Sequence, residues 1–271
     1  MTSEFLPLKG RSKAKIEFNY KNSSVKKSNS SDGIRLNKQA EKQQLFENLN
    51  INNIKTPKIK KIGHNYFYME FINGKNFIQF VENENINNIN NQIENIIDYL
   101  KDIRNIPSVN KSDLNTAILE KLNQLNIKKH HPNIFNFISD VLNKNNLNIE
   151  STYCHGDLSL SNVIFKENKI YLIDFLDIYF SSYLLDIAKI RQDTYYYWLF
   201  NVNKYSSVKC NIVTKKINAK LESEFKREIS SLEFKIIELI NFLRIEPYAY
   251  DEGEKKLLNE IIYKIFYKIR R

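Results

Sequence analysis

One stretch constrains this chain more than any other: Tyr153–Asp177, YCHGDLSLSNVIFKENKIYLIDFLD. It reads as an apolar lead-in and then a polar loop carrying His155, Gly156, Asp157 and Asn162. Two short apolar strands follow, Val163–Lys166 and Lys169–Ile173, turned over Glu167 and Asn168, with Asp174 and Asp177 at the far end. These groups suit phosphoryl transfer. One carboxylate orients a hydroxyl and takes its proton, while an amide oxygen and a second carboxylate hold a divalent cation against the phosphates. Mg²⁺ prefers hard oxygen ligands and takes few of them from protein. Asp157 is the candidate catalytic carboxylate, and Asn162 and Asp174 are the candidate metal ligands.

The spacing from Asp157 to Asn162 resembles the protein-kinase catalytic loop H-R-D-x-x-x-x-N, and Asp174-Phe175 resembles the start of D-F-G. H-G-D-x-x-x-x-N followed by a hairpin and I-D-F-x-D is similar to the aminoglycoside phosphotransferase and choline kinase family of small-molecule kinases. Gly156 separates that family from protein kinases, which carry Arg there and read a phosphorylated activation loop with it. Leu176 stands where D-F-G has Gly. The resemblance implies an α+β, bilobal protein-kinase-like fold, with a small β-rich N-lobe over residues 1–72 and a larger helical C-lobe over 73–271. It also implies ATP (or GTP) with Mg²⁺, and a hydroxyl of a small metabolite as acceptor. His155 and Asp186, in the DIA segment, are expected to brace the catalytic loop without taking part in the chemistry.

Upstream, two strand-like pieces flank Lys9-Gly10-Arg11-Ser12, where the family's phosphate-covering hairpin loop would fall. The strand SSVKKS should carry the lysine that faces the α/β-phosphates. Lys26 is the first choice for that role, and Lys27, which points to the opposite face of the strand, is the alternative. Its partner is read as Glu41 on a helix over Leu36–Leu49, on the face it shares with Leu45, with Glu47 as the rival. Tyr66–Ile72 reads as the hinge strand, and its backbone from Glu70 to Ile72 would take the adenine.

From Phe77 onward the apolar period changes from two to about 3.6. Helical stripes follow at Ile93–Ile103, Leu114–Leu125 and Ile134–Leu142, and two more lie in the tail. Arg191, Asp193 and the Arg244–Tyr248 segment are candidates for the acceptor side, as is Asp177. A faint similarity of IDFLD…DIAKIRQDT to uncharacterised kinases of bacterial surface-polysaccharide clusters makes a sugar or polysaccharide precursor the first acceptor class. Choline, another amino alcohol or an aminoglycoside is the alternative. A nucleotide-binding pseudokinase scaffold is the reading from a different class.

The formal charge of +10 invites a nucleic-acid reading. The basic residues are dispersed among Asn and Ile, with no arginine-rich arm, so nucleic acid is set aside as a partner. Two cysteines, Cys154 and Cys210, offer no disulfide framework, and no apolar run reaches membrane-span length. A cytoplasmic enzyme is expected.

Overall fold

The computed structural model describes residues 5–8, 14–29, 32–108, 113–144 and 147–270. The Lys9–Ser12 loop lies outside the described residues. The chain divides into two compact units, one from residues 1–99 with 161–177, the other from 100–160 with 178–271. Residue 72 lies inside the first of them.

The first unit contains β1 (Phe5–Leu8), β2 (Lys15–Asn19), β3 (Ser24–Ser28), α1 (Gly33–Asn48), β4 (Ile54–Lys55), β5 (Ile59–Ile62), β6 (Tyr66–Glu70), β7 (Lys75–Asn76) and α2 (Phe77–Asn83). It also holds residues 86–99 of α3 (Ile86–Arg104), and β8 (Val163–Lys166) and β9 (Lys169–Leu172). Five strands form an antiparallel sheet in the order β1-β2-β3-β6-β5. Register pairs Val25 with Met69 and Lys27 with Phe67. Strand side chains alternate, so these four residues share one face. Val25, Phe67 and Met69 pack there with Leu36 and Ala40 of α1. Burying Phe67 or Met69 contributes on the order of 2 kcal/mol each.

The buried residues of α1 are Leu36, Gln39, Ala40, Gln43 and Phe46, the spacing of one helical face. Two of them are glutamines, and each has a bonding task. Gln43 donates to the Pro57 carbonyl at 2.6 Å, and Gln39 accepts from Lys27. Asp32 caps the helix by accepting from the Arg35 N–H.

A second sheet runs β4-β9-β8-β7, with β4 parallel to β9 and the other pairs antiparallel. The β8–β9 hairpin turns over Glu167 (φ 50°) and Asn168 (φ 60°). Positive φ at both central residues is the I′ geometry that matches strand twist. Gly74 lets the chain enter β7 close against β8, since a Cβ there would lie 2.6 Å from the Ile164 Cγ2 and 2.7 Å from the Phe165 carbonyl oxygen.

The second unit is helical: α4 (Leu114–Gln124), α5 (Ile127–His130), α6 (Pro132–Lys144), α7 (Tyr183–Thr194), α8 (Trp198–Val202), α9 (Val208–Glu224), α10 (Lys226–Ser230), α11 (Leu232–Leu243) and α12 (Glu252–Arg270). All twelve residues of α7 are buried, and it packs against α9 and α11. A helix covered on every side must satisfy its polar residues internally, and α7 does so for most of them through bonds that reach the 155–160 loop and α11. Among the described residues no helix is long and apolar enough to cross a membrane.

Candidate functional site

Two clusters of polar groups stand out, one in each unit. In the first unit the β8–β9 ladder ends with the Ile173 N–H donating to the Asn162 carbonyl at 3.0 Å. That last rung sets Asn162 beside Ile173, with Asp174 next in the chain. Asp174 leaves the strand with φ 62°, a left-handed conformation that aspartate tolerates better than most residues. Its Oδ1 lies 3.2 Å from the Nζ of Lys27, across 147 residues of sequence. The Lys27 side chain is only 5% exposed, and its ammonium also donates to the Gln39 Oε1 at 2.9 Å.

The lysine beside Asp174 is therefore Lys27 and not the expected Lys26. Lys26 is on the other face of β3, with its ammonium 5.2 Å from the Tyr66 ring centroid and 5.9 Å from that of Tyr68. Glu41 is on the exposed side of α1, and Leu45, expected to share a face with it, is 54% exposed. The residue that α1 turns toward the strand lysine is Gln39. One signal in the sequence pointed to Lys27. Val25 is the apolar residue of SVKKS, so the helix-covered face is the Val25 face, and Lys27 follows it by one pleat repeat.

Two further contacts tie α1 to the segment after the hairpin. Lys42 donates to the Leu176 carbonyl at 2.6 Å, and Lys38 pairs with Asp177 at 3.3 Å, both partners partly exposed. At the expected hinge, the Glu70 N–H is already bonded to the Lys58 carbonyl at 2.9 Å, and Ile72 is buried. The N–H of Glu70 is therefore a rung of the sheet.

In the second unit the loop from His155 is held from below by α7. The Asp186 carboxylate accepts from the His155 N–H at 2.6 Å and the Gly156 N–H at 2.8 Å. Gly156 adopts φ 88°, which a side chain would resist. His155 is fully buried, and its Nδ1 accepts from the Asp157 N–H at 3.2 Å. Asp193 accepts from the Leu160 N–H at 2.8 Å and from the Leu199 N–H at 3.1 Å. Burial pushes its carboxyl up to about 6, against the opposing pull of those N–H groups and Lys189.

The Asp157 carboxylate, one-quarter exposed, pairs with the Lys189 ammonium at 2.8 Å. Burial alone would raise this carboxyl. The charges of Lys189, then Arg244 and His155, outweigh it and hold the group below its ordinary value. Lys189 also donates to the Gln192 Oε1 at 3.1 Å, and that oxygen accepts a further bond from Asn241. Sequence reading gave Lys189 no role, because a lysine one turn after Asp186 is indistinguishable from a solvated helix position until α7 is known to be buried.

Arg191 is corrected as a candidate substrate contact. Its side chain is 3% exposed, and its guanidinium is used by Glu238 (2.8 Å), Asn218 (3.0 Å) and Glu222 (3.1 Å). It ties α7 to α9 and α11. Asp193, also considered for the acceptor side, spends both oxygens on backbone N–H groups.

Among the described residues no group of three or more His, Cys, Asp or Glu is gathered as metal ligands. Asn162 and Asp174 nonetheless fit Mg²⁺ by donor type. Both offer hard oxygens from one hairpin end, and Mg²⁺ typically takes one or two protein carboxylates and leaves its other positions to water and phosphate.

Against known proteins, the family model described as the APH phosphotransferase enzyme family matches residues 35–199. No curated protein matches the sequence at a significant level. Solved structures do. A gentamicin complex of APH(2'')-IIa is 14% identical with TM-score 0.66, covering 97% of this chain and 91% of its own. A GDP and kanamycin complex of APH(2'')-IIIa is 12% identical with TM-score 0.64, covering 99% and 94%. A Plasmodium vivax ethanolamine kinase is 17% identical with TM-score 0.57, covering 97% and 81%. Likeness at this identity establishes the fold, which is protein-kinase-like. The family model covers more than half of the sequence, and the chain belongs to the APH phosphotransferase enzyme family.

Proposed function

We propose that the protein transfers the γ-phosphoryl group of ATP or GTP to a hydroxyl of a small metabolite, with a sugar or surface-polysaccharide precursor as the first acceptor class. The observation that carries this reading is the buried Lys27 ammonium held 3.2 Å from Asp174, at the hairpin end that also carries Asn162. A lysine at that position meets the α/β-phosphates of a bound nucleotide. Asn162 and Asp174 would hold Mg²⁺, which supplies charge neutralisation to the phosphates when bound. Asp157 orients the acceptor hydroxyl and takes its proton late, as the oxygen–phosphorus bond forms. A carboxyl held low, as this one is, serves that task because it stays ionised at neutral pH. Asp186 and Asp193 fix the loop by its backbone, and Gln39 orients Lys27 without adding charge.

Aminoglycosides and ethanolamine appear in the names of the structural neighbours, so polar, hydroxyl-bearing acceptors are the common chemistry. An amino alcohol or aminoglycoside is the alternative acceptor. The cations Lys189 and Arg244 beside Asp157 weigh against a strongly cationic one. The GDP complex among the neighbours keeps GTP open as donor.

Purified protein with Mg-ATP and a panel of hydroxyl metabolites, read by mass spectrometry, tests the reading. Transfer that disappears in Asp157→Ala supports it. Nucleotide binding without transfer to any acceptor, unchanged in Asp157→Ala, would favour a scaffold instead.

A further inference from the structure

The carboxylates around the 155–160 loop all have named partners. Asp186 is taken by the His155 and Gly156 N–H groups, Asp193 by those of Leu160 and Leu199, and Asp157 by Lys189. Arg244, at the end of α11, is different. Among the described residues it has no ion pair, and its Nη1 is buried without a hydrogen-bond partner. Its guanidinium carbon lies 6.0 Å from the ring centroid of Tyr179, whose hydroxyl is likewise buried and unpartnered. Both residues as a whole are half-buried, not enclosed in the core. Arg244 is also near enough to Asp157 to help hold that carboxyl low.

Two buried donors without acceptors cost about 1–3 kcal/mol each. Native proteins keep such groups sparingly, and a ligand is one ordinary reason. Both groups are donors here. Burial pushes the Tyr179 hydroxyl up to about 12, so it stays protonated, and a guanidinium cannot accept. A guanidinium and a hydroxyl that both lack an acceptor call for anionic oxygens, which Arg binds through two parallel bonds.

We infer that the acceptor carries an anionic oxygen group, a phosphate or carboxylate, received by Arg244 and Tyr179 next to the Lys189–Asp157 pair. This rests on the reading of Asp157 as the residue that orients the acceptor hydroxyl. The anion fixes the far end of the substrate, and Lys189 offers a further positive charge as the substrate enters. A neutral sugar would offer Arg244 and Tyr179 only the weaker acceptors of its hydroxyls, and a cationic amino alcohol would add repulsion from the guanidinium.

Calorimetry on the full chain tests this, with the nucleotide site filled by Mg²⁺ and a non-hydrolysable ATP analogue so that anions cannot bind there. The ligands are matched series: glycerol, glycerol 3-phosphate and glycerate; glucose, glucose 6-phosphate and glucuronate; with choline and kanamycin as cationic members. A phosphate or carboxylate member should bind about tenfold or more tightly than its neutral parent, since hydrogen bonds to charged groups carry at least that much. Arg244→Met and Tyr179→Phe should each erase most of that advantage, and Arg244→Lys should retain part of it. Melting temperatures report whether each variant is folded, and the ordering in the unmodified protein is decisive by itself. Equal affinity across a series, tighter binding of the cationic members, or an anion advantage that survives Arg244→Met overturns the inference. Failure of the kinase reading is seen separately, as absence of Asp157-dependent transfer, and leaves this affinity ordering measurable.

Discussion

Two buried lysines of the chain have matching partners and different surroundings. Lys27 holds one carboxylate, Asp174, and one glutamine oxygen, Gln39. Lys189 holds one carboxylate, Asp157, and one glutamine oxygen, Gln192. Lys27 sits on a strand, and its carboxylate partner is one-third exposed and available to a cation. Lys189 sits on a helix with every residue buried, and its glutamine is anchored in turn by Asn241. The difference is one of release. On the proposed reading, a metal held by Asp174 would leave Lys27 with a neutral partner and its charge free for phosphate. Lys189 would stay in its network, where its charge holds the Asp157 carboxyl low.

The comparison breaks most visibly at Asp157. Asp157→Asn should lower kcat by about 10³-fold while nucleotide affinity is retained, because the group is proposed to act on the acceptor proton. Lys189→Met removes the main cation that opposes burial. The Asp157 carboxyl then rises, and the acid limb of the kcat–pH profile should move to higher pH than in the unmodified protein. A profile that does not move would mean that Lys189 is only packing.

Asp193 gives the next largest effect, and on stability. Its carboxyl is raised from 3.8 to about 6, so the folded protein binds that proton more tightly than the unfolded chain. The associated stability is complete below the ordinary value and is lost as pH rises from about 4 through about 6, by about 3 kcal/mol. Asp157 works in the opposite sense and is present in both proteins compared. Denaturant unfolding of the unmodified protein and Asp193→Asn across that range should therefore show the unmodified protein losing ground steadily as pH rises. A constant difference would show that backbone N–H groups, and not burial, dominate at Asp193.

On the Lys27 side, Lys27→Met should cost about 100-fold in kcat/KM for ATP, the scale seen when one charge-stabilising donor is removed. Lys26→Met loses contacts with the Phe5, Tyr66 and Tyr68 rings and should stay within about threefold, since cation–π contacts at partly exposed sites carry about 0.5–1 kcal/mol. Steady-state kinetics in ATP decides this, and equal losses in the two variants would overturn the register-based assignment.

That pair also marks how far the sequence could be read. The β8–β9 hairpin, its turn at Glu167-Asn168 and the order of elements were legible because they are local. Alternation, turn residues and spacing all lie within a few residues of one another. The face of β3 was legible only faintly, because alternation gives parity and a single apolar residue, Val25, marks which face a helix covers. The expectation of a glutamate then drew α1 toward Glu41, when its apolar positions Leu36, Ala40 and Phe46 put Gln39 on the buried face. Arg191 and Lys189 were misjudged or passed over for another reason. Their environment is set by α9 and α11, which follow them in the chain, and nothing local marks α7 as a central helix.

The smallest effect tests Gln39 itself. Gln39→Glu puts a carboxylate where a neutral oxygen now accepts from Lys27. Without nucleotide, the buried ammonium gains a charged partner and the melting temperature should rise, by about 1 kcal/mol of stability for a charge-assisted bond. With nucleotide the sign reverses. The added negative charge stands beside the lysine that would meet the phosphates, and ATP affinity should fall about three- to tenfold, more at low salt than at high salt. Calorimetric titration and thermal melts on one preparation read both. A rise in stability without loss of ATP affinity would mean that Lys27 keeps its charge for phosphate whatever its helix partner. The neutral glutamine would then have no electrostatic purpose, and the contrast between the two lysines would reduce to their burial.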